Sequence, residues 1–148
     1  MQIVFLILLV VLAGALAPTQ AGINARLSQA VNSNILAALV SFFVGTLGLL
    51  AYSLILRIKW PALQSLQQTP WWIWFGGLCG AYLVTVTIIA APKLGATTMF
   101  AFFLAGQLTA SLLLDHFGLL GFPVHSLSAW RVFGVFLVAC GSLLIKFF

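Results

Sequence analysis

Acidic side chains are almost absent from this chain of 148 residues. Asp115 is its single acidic residue, there is no glutamate, and charged residues of both signs make up 5% of the chain. Soluble domains carry about 25% charged residues, and so few charges cannot cover the surface of a water-soluble fold of this length. The shortage of charge therefore excludes an ordinary soluble domain.

The chain also lacks the residue sets that catalysis and metal binding need. Its two histidines, His116 and His125, share one segment with Asp115, but no second carboxylate accompanies them. Cys79 and Cys140 lie in apolar runs without metal-ligand spacing, which favours small buried hydrophobes over a disulfide or a redox site. No phosphate-binding loop is present. We expect no enzymatic activity, no catalytic residue, no metal and no cofactor.

The basic residues do not form a patch. There are six Lys and Arg for a net charge of +5, and they are scattered along the chain. A nucleic-acid-binding protein would concentrate them on one face. We therefore expect no nucleic-acid partner, and we interpret the basic residues as helix-end anchors and determinants of membrane topology.

Apolar residues dominate, at 64% of the chain with a mean hydropathy of +1.23. Stretches long enough to cross a bilayer recur five times between short connections. We predict an all-α integral membrane protein in the lipid bilayer, with one transmembrane domain over residues 1–148. The predicted helices are about 2–25, 34–56, 71–91, 94–114 and 130–147. The first resembles a signal peptide, but no Lys or Arg precedes its apolar run, so we interpret it as a transmembrane helix.

Polar groups and a proline occupy the second half of the first helix. Pro18 has no backbone donor, so the carbonyl of Gly14 should lose its helical partner. Gln20 and Asn24 are four residues apart and share one helical face. Two amides beside a kink could bind a polar ligand. Alternatively, they bond to neighbouring helices, as polar residues in lipid commonly do.

The third and fourth helices add further polar groups. Gln107 lies well inside the uncharged stretch between Lys93 and Asp115, and Tyr82 brings a hydroxyl into the third span. A primary amide both donates and accepts, which suits a neutral or zwitterionic metabolite; the alternative is an interhelical clamp. The predicted substrate-binding residues are Gln20, Asn24, Gln107 and Tyr82.

Asp115 and Pro18 are candidates for coupling or gating. A titratable group inside the membrane could bind protons in competition with substrate. Asp115 fits a loop or a helix cap equally well, and an acid at a helix C-terminus faces an unfavourable dipole. We expect a nearby cation, with Arg131 as the candidate, to pair with it. Without a membrane-embedded glutamate, facilitated diffusion or export down a gradient is favoured over proton coupling.

The basic residues are evenly divided between the two sides of a five-helix protein. One side carries Arg57, Lys59 and Arg131, and the other carries Arg26, Lys93 and Lys146. The positive-inside rule then favours neither orientation. Insertion both ways would allow an antiparallel homodimer with the inverted symmetry of many transporters. The alternative is that a paralogous partner or other features fix one orientation.

Short motifs spread over the chain point to a family. They are Pro18, Gln20 and Ile23-Asn24-Ala25-Arg26-Leu27; Ala38-Leu39-Val40-Ser41-Phe42 and Val44-Gly45-Thr46; Trp71-Trp72 with Gly76-Gly77; Ala91-Pro92-Lys93-Leu94-Gly95-Ala96; Gly106-Gln107; and Leu114-Asp115-His116-Phe117-Gly118. Together they resemble the YdcZ-like family of short, five-helix inner-membrane exporters, related to the drug/metabolite transporter superfamily.

The resemblance implies a fold and a general role. Larger superfamily members look like two fused five-helix halves of opposite orientation, so this chain would be half of a 5+5 inverted-repeat transporter, completed by dimerisation. The implied location is the bacterial inner membrane, with several spans. We expect a small secondary transporter, exporting a metabolite or drug-like molecule as an antiparallel dimer. A dual-topology ion channel and a non-transporting membrane subunit are the alternatives.

Overall fold

The computed structural model describes residues 2–148, and all secondary-structure elements of these residues are helices. The helices are α1 (Gln2–Val31), α2 (Asn34–Ile55), the short α3 (Leu63–Gln67), α4 (Phe75–Leu94), α5 (Ala96–Phe117) and α6 (Ala129–Phe147). A 3-10 turn at Trp71–Trp74 leads directly into α4, and another follows α5 at Leu119–Gly121. Among the described residues, five helices are long and apolar enough to cross a membrane. The predicted class of all-α protein with five such helices is therefore confirmed.

The chain divides into two compact units, one ending at Pro92 and the other covering Lys93–Phe148. The first unit contains α1, α2, α3 and most of α4. The second contains α5 and α6.

The first helix is longer than its predicted range of about 2–25. It continues through Pro18 and ends at Val31, a length of 30 residues. Proline removes only the bond to the carbonyl four residues earlier, so the flanking turns can keep the helix intact. At 1.5 Å per residue α1 extends about 45 Å, against roughly 30 Å of hydrocarbon. Its last turns, which include Arg26, can therefore reach the headgroup region.

The boundaries of α4 and α5 also differ from the predicted ones. Pro92 lies inside α4, which ends at Leu94 instead of about residue 91. Gly95 separates the two helices with φ +79°, a conformation that favours glycine. α5 then continues to Phe117, so Asp115 belongs to the last helical turn and the predicted loop starting at Asp115 is corrected. The reason is Gly118, whose left-handed backbone ends the helix three residues later.

The ends of α2 and α6 shift by one residue each. α2 ends at Ile55, one residue before its predicted end, and Arg57 follows in the left-handed region with φ 51°. α6 begins at Ala129, where the Ser128 hydroxyl accepts a hydrogen bond from the backbone N–H of Arg131. Such a cap satisfies one of the donors that every helix start leaves free.

The core of the first unit is small and built largely from alanine. It consists of Ala37, Ala38, Val84 and Ile88, with Leu27 and Val31 packed against it. Small residues let membrane helices approach closely. By contrast, the apolar side chains of α1 from Ile3 to Leu12 are all exposed in the single chain. Packing in this unit is therefore concentrated where the second half of α1, the first half of α2 and the second half of α4 meet.

One glycine on α4 packs against an aromatic ring of α2. A Cβ placed on Gly80 would lie 3.4 Å from Cζ of Phe42. The same construction at Gly76 meets nothing within 4 Å. Gly76 and Gly80 are four residues apart on α4, and of the two only Gly80 marks a close contact in the described structure.

In the second unit α5 packs against α6. Met99 and Ser142 are buried there. The Ser142 hydroxyl lies 2.8 Å from the carbonyl oxygen of Ala101 on α5 and 2.8 Å from that of Val138 on its own helix. This contact between a side chain and a neighbouring backbone joins the two helices within their apolar span.

Candidate functional site

An open, mostly apolar cleft with several polar side chains in its walls lies between α1 and α2. Two cavities of about 520 and 230 Å³ share Gln20 and Ser41 in their walls. The larger is lined by Ala13, Leu16, Ala17, Thr19, Gln20, Ile23, Asn24 and Ser41. The smaller is lined by Gln20, Ser41, Phe42, Gly45, Thr46 and Leu49. We call the two cavities together the amide cleft.

Helical spacing accounts for the position of these groups. Gln20 and Asn24 are one turn apart on α1, and Ser41 and Gly45 are one turn apart on α2, so each pair shares a face. Gly45 leaves open space beside it. The sequence predicts Gln20 and Asn24 on one face of a helix kinked at Pro18, and the structure places both residues in the wall of one cleft.

Asn24 is the most unusual residue of the amide cleft. It is only 4% exposed, and its amide nitrogen is buried without a hydrogen-bond partner among the described residues. Leaving a buried donor unpaired costs about 1–3 kcal/mol. In a bilayer no surrounding water lowers that cost. The cleft wall therefore contains a donor that lacks an acceptor.

The hydroxyl donors of two threonines in the amide cleft are already used. Thr46 donates to the carbonyl of Phe42 at 2.8 Å, and Thr19 donates to that of Ala15 at 3.4 Å. Gln20 is exposed and Ser41 is partly buried. None of the described residues lining the amide cleft is charged. The cleft thus offers neutral hydrogen-bonding groups.

The other predicted substrate-binding residues lie elsewhere. Tyr82, on α4, is 74% exposed and lines neither cavity of the amide cleft. Gln107 belongs to the second unit, where it is exposed on α5. It stands at the middle of that helix, which runs from Ala96 to Phe117.

Asp115 forms an ion pair within the second unit. Nη2 of Arg131 donates to Oδ2 of Asp115 at 2.5 Å, and Nη1 of the same side chain donates to the carbonyl of His125 at 2.9 Å. The expected pairing of Asp115 with Arg131 is confirmed. Both side chains remain partly exposed, at 26% and 36% respectively.

Backbone hydrogen bonds reinforce this ion pair. The N–H of His125 donates to the carbonyl of Asp115 at 2.9 Å, and the N–H of Leu127 donates to Nδ1 of His116 at 3.3 Å. The connection to α6 is therefore tied to the last turn of α5. Among residues 2–148, no group of three or more His, Cys, Asp and Glu is placed to hold a metal ion.

Sequence reasoning missed part of the amide cleft and one interhelical bond. It gave Ser41, Gly45 and Thr46 no role in the site. A small residue one turn from a serine, facing a polar stretch of the preceding helix, is the signal that could have found them. Ser142 was also overlooked, although a hydroxyl inside an apolar span has to find an acceptor.

The fold and the cleft define a class of protein: a multi-pass membrane protein with polar groups inside its spans. The family model described as "Putative inner membrane exporter, YdcZ" matches residues 5–144. The chain therefore belongs to this family, and it is a multi-pass protein of the inner membrane. No curated protein and no solved structure matches it. The family resemblance predicted from the sequence is confirmed.

Proposed function

We propose that the protein is a small secondary transporter that exports a small metabolite or drug-like molecule through the amide cleft. Asn24 carries the proposal, because its amide nitrogen is buried without a partner, which is costly, and the residue lines a cavity large enough for a small solute. Gln20 supplies a second amide to the same cavity. Pro18, two residues before Gln20, is a site where α1 can bend.

The transporter works as an antiparallel dimer of two copies, or with a paralogous chain. The even division of basic residues between the two sides supports this, since it gives neither orientation an advantage. The depth of Gln107 in the membrane also supports an antiparallel dimer. A residue meets its own copy across a two-fold axis in the membrane plane only if it lies near the midplane, and Gln107 is central in α5. Its exposed amide would gain a partner there.

Export down a concentration gradient fits the charges better than proton coupling. The one acidic side chain is engaged by Arg131, and the described walls of the amide cleft hold no titratable group. Asp115 would then stabilise the end of α5 instead of carrying protons. A transporter of this kind would show the same efflux with and without a pH gradient.

Efflux from proteoliposomes tests the proposal. Vesicles are loaded with a mixture of amino acids, nucleosides and polyols, and released solutes are identified by mass spectrometry against protein-free vesicles. We expect Gln20→Leu to reduce the protein-dependent release several-fold, and Gln107→Leu to reduce it as well. Gln68→Leu is the matched control, because Gln68 is exposed at the end of α3 and lines neither cavity. Unchanged release in both Gln20→Leu and Gln107→Leu would contradict the assignment of the site.

The same preparation separates the two alternative functions. An ion channel would give stepwise conductance in a planar bilayer. A non-transporting subunit would release no solute and would co-purify with another protein. Either result would contradict the proposal that the protein is a transporter.

The orientation of the C-terminus tests the dimer. Two reporters are fused after Phe148, one active only in the cytoplasm and the other only outside. Strong signals from both would support insertion in both orientations. A signal from one alone would contradict an antiparallel homodimer and would leave a partner of opposite orientation or a parallel assembly.

A further inference from the structure

The amide cleft combines a donor without an acceptor and walls without charge. We infer that it binds an uncharged solute that presents a carbonyl or hydroxyl oxygen to the amide of Asn24, and that it discriminates against ions and zwitterions. This inference rests on the proposed transport function and narrows its substrate class.

Asn24 provides the hydrogen-bond donor. Its nitrogen is the described buried side-chain atom that has no partner. The residue borders the larger cavity, so rotation about its side-chain torsions can turn the amide towards a ligand. A nitrogen that only donates requires an acceptor on that ligand, such as a carbonyl or hydroxyl oxygen.

The uncharged walls of the amide cleft disfavour ions. A charged solute taken into a low-dielectric site needs an opposite charge or several strong hydrogen bonds. The described lining residues of the amide cleft include neither a cation nor an anion. Arg26 is near Asn24 in the sequence, but a separation of two residues turns about 200° around a helix, and Arg26 is exposed while Asn24 is buried.

A zwitterion carries two charges, and each of them needs compensation inside the cleft. An ammonium group needs acceptors and a carboxylate needs donors, each in greater number than a neutral hydroxyl. The hydroxyl hydrogens of Thr19 and Thr46 are already donated to their own helix. The amides of Gln20 and Asn24 and the hydroxyl of Ser41 remain as donors, enough for one or two neutral polar groups, while the threonine oxygens can still accept. The cavity of about 520 Å³ lies within the range of small-molecule sites.

Solutes that are matched in size and differ in charge test the inference. Proteoliposomes are loaded with lactamide, lactate, alanine and alaninamide, which share a three-carbon skeleton but are neutral, anionic, zwitterionic and cationic. Sorbitol, gluconate and glucosamine form a larger matched set. Release is measured by mass spectrometry, and passive leakage from protein-free vesicles is subtracted.

We expect protein-dependent release of neutral members at least tenfold faster than that of their charged counterparts. Equal or faster protein-dependent release of a charged or zwitterionic member would overturn the inference and leave the transporter standing. No protein-dependent release of any solute, here or from the broader mixture, would overturn both.

Variants at position 24 provide an independent readout. Asn24→Leu should lower neutral release about tenfold, the loss of one hydrogen bond, without lowering the unfolding temperature, because it removes an unpaired buried polar group. Asn24→Asp should raise the release of alaninamide and glucosamine relative to the neutral members, because it places an acceptor with negative charge in the wall.

Thr87→Val is the matched control for these variants. Thr87 is also buried in the first unit, but its hydroxyl donates to the carbonyl of Val84 within α4 at 2.8 Å. We expect neutral release to be unchanged in Thr87→Val. Unchanged release in Asn24→Leu together with a lower unfolding temperature would show that Asn24 is a structural residue and would overturn the inference.

Discussion

Arg131, in the first turn of α6, holds Asp115, in the last turn of α5, through a hydrogen-bonded ion pair of 2.5 Å. Asp115 is the one acidic residue of the protein, so no other basic residue has a carboxylate side chain to pair with inside a single copy. The remaining Lys and Arg are free to contact water and lipid phosphates. The one carboxylate side chain therefore links the end of α5 to the start of α6.

Breaking this ion pair should loosen the end of the second unit. Arg131→Ala leaves Asp115 without its cation at a helix C-terminus, where a negative charge is unfavourable. Since both side chains are partly exposed, we expect a coupling free energy on the order of 1 kcal/mol in a double-mutant cycle with Asp115→Asn. Thermal unfolding in detergent measures it, and high salt should reduce it.

The control for this cycle is His125, which uses backbone atoms to contact both partners. Its carbonyl accepts from Arg131 and its N–H donates to Asp115. His125→Ala keeps these backbone groups and should change the unfolding temperature little. A coupling energy near zero, or a loss in His125→Ala equal to that in Arg131→Ala, would contradict a stabilising role of the ion pair.

Gly118 should be the glycine of this region least tolerant of a side chain. Its φ is +59°, and a Cβ would lie 2.7 Å from Cγ2 of Val124. The left-handed conformation alone costs roughly 1–2 kcal/mol for alanine, and the steric overlap adds to it. We expect Gly118→Ala to destabilise the protein by about 2 kcal/mol or more, measured by thermal unfolding.

Two further variants separate the causes of that loss. Gly121→Ala also has positive φ but meets nothing within 4 Å, so it should show the backbone cost alone. Adding Val124→Ala to Gly118→Ala should recover the steric part. Equal losses at Gly118 and Gly121 would show that the contact with Val124 is unimportant.

Ser142 should contribute more to stability than the other hydroxyls of its unit. Its side chain is buried and reaches the carbonyl of Ala101 on the neighbouring helix. Interhelical hydrogen bonds in membranes contribute about 0.6–1.7 kcal/mol, and we expect Ser142→Ala to lose that amount in unfolding measurements. Thr109→Val is the control, because Thr109 is exposed and bonds within its own helix to Ala105. Similar losses in the two variants would rule out a special role for the bond to Ala101.

Gln107 should crosslink to its own copy in an antiparallel dimer. In a background with Cys79→Ala and Cys140→Ala, oxidation of Gln107→Cys should give a disulfide-linked dimer in native membranes, because both copies are at the same depth. Phe102→Cys is the control. It lies five residues away on α5, so its two copies would differ in depth by about 15 Å and could not form a disulfide.

A parallel dimer gives the opposite expectation for the control position. Equivalent residues then lie at the same depth all along the helix, so Phe102→Cys could crosslink as well. A disulfide at Phe102 without one at Gln107 would contradict the antiparallel arrangement.

The helices could be predicted because their cause is local. Apolar stretches in a bilayer have to satisfy their backbone hydrogen bonds internally, so length and hydropathy alone predict the spans. Boundaries were less accurate where one residue decides them. Pro18 and Pro92 remain inside their helices, whereas Gly95 and Gly118 interrupt theirs, because a positive φ stops a helix more sharply than one missing donor.

The sequence by itself determined the class of the protein, the number of its spans, its family and the shared face of Gln20 and Asn24. These follow from composition, helical periodicity and motifs, which need no knowledge of packing. Tertiary structure decided that Ser41 lines a cavity with both amides and Gly45 one with Gln20, that Asn24 is buried without an acceptor and that Ser142 reaches Ala101. Burial and hydrogen bonding depend on which helices touch and at what height, and a single helical sequence does not specify its neighbours.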